Sequence, residues 1–178
     1  MSGQVKRSSG RHDENDTTNG TLGRTCTWPC RVRQQIPNYE GPEVTRLQMF
    51  KGDRNLFLFN NTSVLKAYRI DLGFAPEGPK RFEGDGKTPE GAYTVDRRNP
   101  DSLFHLSIGI SYPNEADIAF AAAQGREPGG DIFIHGGPRP GIDAIKPDWT
   151  AGCIAVSDRE IEDIYAMVRD GTPIDIFA

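Results

Sequence analysis

Two residues in the second half of the chain have the chemistry of an acyl-transfer pair. His135 follows the short apolar run Ile132-Phe133-Ile134, and Cys153 ends Thr150-Ala151-Gly152-Cys153, after a loop rich in Gly and Pro. A free thiol has a pKa near ~8.5, so little of it is thiolate at neutral pH and a base must activate it. An imidazole can take that proton and later return it to a leaving amine. Backbone N–H groups around Gly152 and Cys153 can face the oxyanion of a tetrahedral intermediate. The missing side chain at Gly152 is expected to leave the space beside the sulfur open. The plain alternative is that Cys153 is a small buried apolar residue and that His135 only ends a strand.

The pair can act only if the surrounding elements bring it together. Ile132 to Ile134 has the length of a buried strand. After Cys153, Ser157-Asp158-Arg159-Glu160 has the form of a capping box. Ile161, Ile164, Tyr165 and Val168 then fall at i, i+3, i+4 and i+7, which predicts a helix anchoring the nucleophile's segment. Gly171 and Pro173 stop that helix, and Ile174 to Phe177 reads as a closing strand. Upstream, Val44–Phe50, Leu56–Phe59 and Val64–Ile70 are separated by turn residues and predict a β-meander. The loop from Phe74 to Pro89 carries five charged residues between Lys80 and Lys87, ordinarily a sign of a solvated loop. Thr88-Pro89-Glu90-Gly91 reads as a turn into a strand at Ala92–Val95. Leu103 to Ile110 alternates, with Leu103, His105 and Ser107 on one face and Phe104, Leu106 and Ile108 on the other. This makes His105 a rival to His135, as either an exposed or a cleft-lining residue. Asn114 caps a further helix with Asp117 in its first turn, Ile118, Ala121 and Ala122 as its apolar stripe and Gly125 at its end. The expected fold is mainly β with two helices (α+β): a curved sheet or sandwich of seven or eight strands in a single domain over residues 41–178, without internal repeats.

The longer blocks narrow the reading. His135-Gly136 followed by Thr150-x-Gly152-Cys153-Ile154 resembles the signature of the L,D-transpeptidase (YkuD) catalytic domain family. The segments GPKRFEGDGKTPEGAYTVDRRNP and FHLSIGISYPN are similar to its YafK-like branch, and the resemblance runs from about Val44 to Phe177. Many members carry Arg two residues after the cysteine to anchor a substrate carboxylate, and this chain has Ala155 there. The resemblance implies that Cys153 attacks a diaminopimelate-type carbonyl in a peptidoglycan stem tetrapeptide, expels D-Ala and passes the acyl group to an amine. It makes His135 base and then acid, gives Gly136 the task of orienting the imidazole through its carbonyl, and has Thr150, Gly152 and Cys153 shape the oxyanion site. It places the Phe74–Pro89 loop beside the cleft. His105, Tyr112, Trp149 and Arg139 are the candidates for substrate contact.

Composition bounds the rest. A chain of 178 residues with 36% hydrophobic residues can build a sizeable core, and a net charge of −4 argues against a general nucleic-acid binder. No apolar run approaches the roughly 18 residues of a membrane span, and no N-terminal apolar segment reads as a secretory signal. The resemblance nonetheless implies a periplasmic or cell-envelope location, peptidoglycan stem peptides as partners and room for a wall-anchored protein. Residues 1–40 are polar and are expected to be disordered. Within them Cys26 and Cys30 flank Thr27-Trp28-Pro29, a spacing open to a disulfide or half of a metal site, and His12 is isolated. No cofactor is implied, and no ligand cluster at zinc spacing is present in the sequence. Two other classes stay open: a cysteine hydrolase or amidase of the same fold cutting peptidoglycan peptides or a protein–peptidoglycan link, and a non-catalytic wall-binding module.

Overall fold

The computed structural model describes residues 36–143 and 145–178. The readings made for His12, Cys26, Trp28 and Cys30 lie outside the described residues, as does most of the segment expected to be disordered.

Eight strands form one curled sheet in the order β3-β2-β1-β8-β4-β5-β6-β7. Strands β1 (Arg46–Phe50), β2 (Asn55–Asn60) and β3 (Ser63–Arg69) are the expected antiparallel meander. Leu47, Met49, Leu56 and Leu58 alternate inward and are fully buried. Strand β3 lies at the edge, and of its residues only Tyr68 is buried. The C-terminal strand β8 (Pro173–Phe177) lies between the two halves, parallel to β1 and antiparallel to β4. Its Ile174 and Ile176 fill the middle of the core. Pro173 takes the first strand position, where a missing N–H is tolerated.

Strand β4 (Gly91–Asn99) runs well past the expected Val95, because its second half pairs with β5 (Ser107–Ile110) after a bulge between Val95 and Arg97. The strand expected from Leu103 onward is therefore four residues shorter. Residues 103–105 turn instead, with His105 in the left-handed region at φ 71° and Leu103 72% exposed. Two short strands, β6 (Phe133–His135) and β7 (Ile154–Ala155), complete the sheet in parallel.

Helix α1 (Glu115–Ala122) starts at a capping box in which Asn114 and Asp117 bond reciprocally. Its expected apolar stripe is only partly realised. Ala121 is buried, but Ile118 is 49% exposed, and the buried Asp117 accepts from the Tyr93 hydroxyl at 2.9 Å. Helix α2 (Asp158–Met167) has the Ser157/Glu160 capping box, and Ile161, Ile164, Tyr165 and Val168 are all buried. It packs on β5 and β6. No helix among the described residues is long and apolar enough to cross a membrane.

Candidate active site

His135 ends β6 in register with Ser107 of β5 and Ala155 of β7. Its Nδ1–H donates to the Gly136 carbonyl at 2.7 Å, which leaves Nε2 as the basic nitrogen of the neutral ring. Phe104 stacks on the imidazole with centroids 4.4 Å apart, and Trp149 meets it edge-on at 5.7 Å. The turn at 103–105 is tied to this spot because the Gly136 N–H donates to the carbonyls of Phe104, at 3.0 Å, and Leu106. Burial lowers the imidazole pKa, against the raising effect of the Gly136 bond.

Cys153 precedes β7. The register Ile134↔Ile154 and His135↔Ala155 puts Cys153 beside Phe133, and side chains two apart share a face. Cys153 and His135 therefore stand on the same face of neighbouring strands, opposite the face carrying Ile134 and Ile154. The thiol donates to the Asp131 carbonyl at 3.4 Å. Burial pushes its pKa up, opposed by the Phe133 backbone N–H and by the charges of Lys80 and Arg97. Both directions favour the uncharged forms of the two side chains.

The turn before the cysteine is fixed by Thr150, which is buried. Its hydroxyl accepts from the Gly152 N–H at 3.1 Å and donates to the Cys153 carbonyl at 2.7 Å. Gly152, expected to leave the space beside the sulfur open, also permits a close backbone approach. At φ +135°, a Cβ there would lie 2.7 Å from the Lys87 carbonyl oxygen. A Cβ at Gly73 would likewise lie 2.1 Å from the Gly86 oxygen and 2.9 Å from the Gly152 Cα. Three backbone segments meet here at a separation that side chains would prevent.

The Phe74–Pro89 loop is thus pressed onto the cysteine turn, and its charges are not simply solvated. Asp85 accepts from the N–H groups of Arg81, Phe82 and Lys87 and from Lys80 Nζ. The buried Lys51 ammonium, from the end of β1, donates to the carbonyls of Gly78 and Thr88 and to Glu90. Gly136 also permits a close approach, since a Cβ there would lie 2.5 Å from Asp158 Oδ1. That carboxylate accepts from the Gly137 N–H at 2.8 Å and ties the loop after His135 to the first turn of α2.

Of the four substrate-contact candidates, the structure brings Trp149 to the imidazole and Arg139 close by. Arg139 lies 4.3 Å over the Phe104 ring, but its guanidinium is held in two bonds by Asp143. His105 is turned to α2, where Nε2 meets Glu162 Oε1 at 2.8 Å. Tyr112 is a core residue, 3% exposed, whose hydroxyl donates to the Pro128 carbonyl. Sequence reasoning missed Phe104, which the expected alternation assigned to a strand face, and Asp131, whose φ of 55° turns its carbonyl to the thiol. A left-handed Asp is within that residue's ordinary range but leaves no mark in the sequence pattern.

Comparison with known proteins gives the family and the fold. A model of the L,D-transpeptidase catalytic domain (YkuD) matches residues 45–176. The chain is 34% identical over 128 residues to YafK of Escherichia coli (strain K12), provisionally named an L,D-transpeptidase, covering 68% of this chain and 46% of YafK. It therefore spans about half the length of that relative. Among solved structures, it resembles Pgp2 of Campylobacter jejuni, described as a helical cell shape determining protein, at 25% identity and a TM-score of 0.58, covering 78% of this chain and 49% of Pgp2. It also resembles Bd1075 of Bdellovibrio bacteriovorus at 25% identity and a TM-score of 0.56, covering 80% of this chain and 51% of Bd1075.

Proposed function

This chain belongs to the L,D-transpeptidase catalytic domain family, and from that premise we propose that it is a cysteine acyltransferase acting on peptidoglycan stem peptides. The observation that carries the reading is the pairing of β6 with β7, which sets Cys153 and a buried His135 on one face. The imidazole's second nitrogen is already committed to the Gly136 carbonyl. As the Cys153 sulfur bonds to the donor's carbonyl carbon, its proton passes to His135 Nε2. The amide C–N bond then breaks and that proton goes to the leaving amine, leaving a thioester. Because the Gly152 N–H is taken by Thr150 Oγ1, the Cys153 N–H is the donor assigned to the oxyanion. Phe104 and Trp149 hold the ring at its angle and keep water from it.

Transfer is taken over hydrolysis because the family is that of transpeptidases. A cavity of about 420 Å³ is lined by Asp71, Asp148, Ala155 and Ser157, and it is the candidate space for an acceptor amine. The reading includes an envelope location and, by analogy with Pgp2, a part in cell shape. A wall-anchored protein is a further candidate acceptor.

Purified protein incubated with disaccharide-tetrapeptide, with and without an amine acceptor, is expected to give an acyl-enzyme and then a transfer product by mass spectrometry. Cys153→Ala should give neither. Hydrolysed peptide alone, across many acceptors, would replace transfer with hydrolase activity. No acyl-enzyme with any peptide, but retained peptidoglycan binding, would leave a wall-binding module.

A further inference from the structure

Arg97 reaches the cysteine's face through a defect in the sheet. In a regular strand Arg97 would share a face with Val95, which is fully buried. The bulge between them pairs Val95 with Ile110 and Arg97 with Gly109, its immediate neighbour. One extra residue on a strand turns the side chains that follow to the other face. Gly109 in turn pairs with Phe133, and Phe133 lies beside Cys153. Arg97, Gly109 and Phe133 thus form one row across β4, β5 and β6, which continues to Cys153 just before β7. The Arg97 side chain lies along this row. A Cβ at Gly109 would stand 2.6 Å from its Cγ and 2.8 Å from its Nε, and its guanidinium sits 4.6 Å over the Phe133 ring. Its NH2 reaches Asp131 Oδ1 at 3.3 Å, the residue whose carbonyl holds the thiol.

The guanidinium is not locked there. Its partners are Asp96, adjacent in sequence, and Asp131, whose side chain is 91% exposed. Exposed pairs of this kind contribute little and exchange readily for another carboxylate. Arg139 is held by Asp143 in the loop after His135, and Ala155, the next residue on the cysteine's face, brings no charge.

Resting on the acyl-transfer reading above, we propose that Arg97 binds the terminal α-carboxylate of the donor peptide, on the residue that leaves when Cys153 is acylated. The lengths agree. A terminal carboxylate lies about one residue, ~3.5 Å, beyond the attacked carbonyl, and Arg97 stands over the strand next to that of Cys153, with strands spaced ~4.8 Å apart. A planar guanidinium over a ring is suited to a two-point grip on such a carboxylate.

The test uses two tetrapeptides that differ only at the C-terminus, one a free carboxylate and one a carboxamide. Equilibrium binding is measured on Cys153→Ala protein, and acyl-enzyme formation on protein with its cysteine. With Arg97 present, the carboxylate peptide should bind and acylate at least ~10-fold better than the amide. Arg97→Gln should remove that preference by weakening the carboxylate peptide alone, and Arg97→Lys should restore part of it. Equal binding of both peptides, or a preference that survives Arg97→Gln, overturns the assignment of Arg97 even if acyl-enzyme forms. An Arg97-dependent preference in binding without any acylation would uphold Arg97 and overturn the acyl-transfer reading instead.

Discussion

At the scale of single residues, the site is defined by what the neighbours do to two protons. Burial holds the His135 imidazole below its ordinary ~6.5 and the Cys153 thiol above the ~8.5 of a free thiol, so at neutral pH both are uncharged. Alkylation by iodoacetamide should therefore climb with pH into the alkaline range, with no plateau extending to acid pH. Such a plateau, the mark of a standing thiolate–imidazolium pair, would refute the neutral resting state. The acid limb of kcat/KM should correspondingly fall below pH ~6.5, as His135 charges. His135→Ala should slow acylation by about 10²–10⁴, and His105→Ala much less, since His105 serves α2; acylation kinetics that reverse this order would name the wrong base. Phe104→Leu keeps an apolar cover but loses the ring stacking, worth about 0.5–1.5 kcal/mol. The acylation rate should fall roughly 2–13-fold by the same energy, and the acid limb should move up toward ~6.5 as the imidazole becomes more exposed.

At the scale of elements, the regular patterning of α2 and of β1–β3 is legible in the sequence, and backbone irregularity is not. The α2 stripe and its capping box follow from local chemistry within a dozen residues, as does the β1–β3 meander. Strand β7 is two residues long and has no period to read. The bulge in β4 depends on which partner pairs with it, and the left-handed turn at His105 breaks an alternation that looked complete. The Phe74–Pro89 loop, solvated by its charges alone and beside the cleft by the resemblance, has Lys80 and Asp85 paired within it, a pairing that composition does not reveal. Two variants address it. Gly152→Ala places a Cβ against the Lys87 oxygen at positive φ, a strain of about 1–3 kcal/mol, and should lower Tm by several degrees at ~2–4 °C per kcal/mol. An unchanged melt would mean that the loop yields there. Burial alone would raise the Asp85 carboxyl, but its three N–H donors and Lys80 outweigh that and hold it below the usual range. A depressed pKa adds stability above the unfolded value of ~3.9, and that stability is lost as pH falls through the folded value. Asp85→Asn should thus be less stable at neutral pH, with the difference from the parent shrinking below pH ~4. A gap that stays constant in acid urea titrations would count against the charge of Asp85.

At the scale of the whole molecule, the β1–β3 meander and the β4–β7 half, which carries the site, are linked where Asp71 bridges Ala155 and along β8, which lies between them in the sheet. That strand joins β1 across roughly 120 residues of chain, pairing that is costly to close and slow to form. A nascent chain emerging at ~5–20 residues per second therefore completes its meander at Arg69 roughly 5–21 seconds before the partner for the edge of β1 begins at Pro173. Through that interval the faces carrying Leu47, Met49, Leu56 and Leu58 lack Ile174 and Ile176, the core residues that β8 brings. Ribosome-stalled chains ending before Pro173 should be cut rapidly by protease, and chains with β8 clear of the exit should resist. Protection already present without β8 would mean that each block closes alone. As the sheet is paired, β8 sets the moment at which the core shared by its two sides can close.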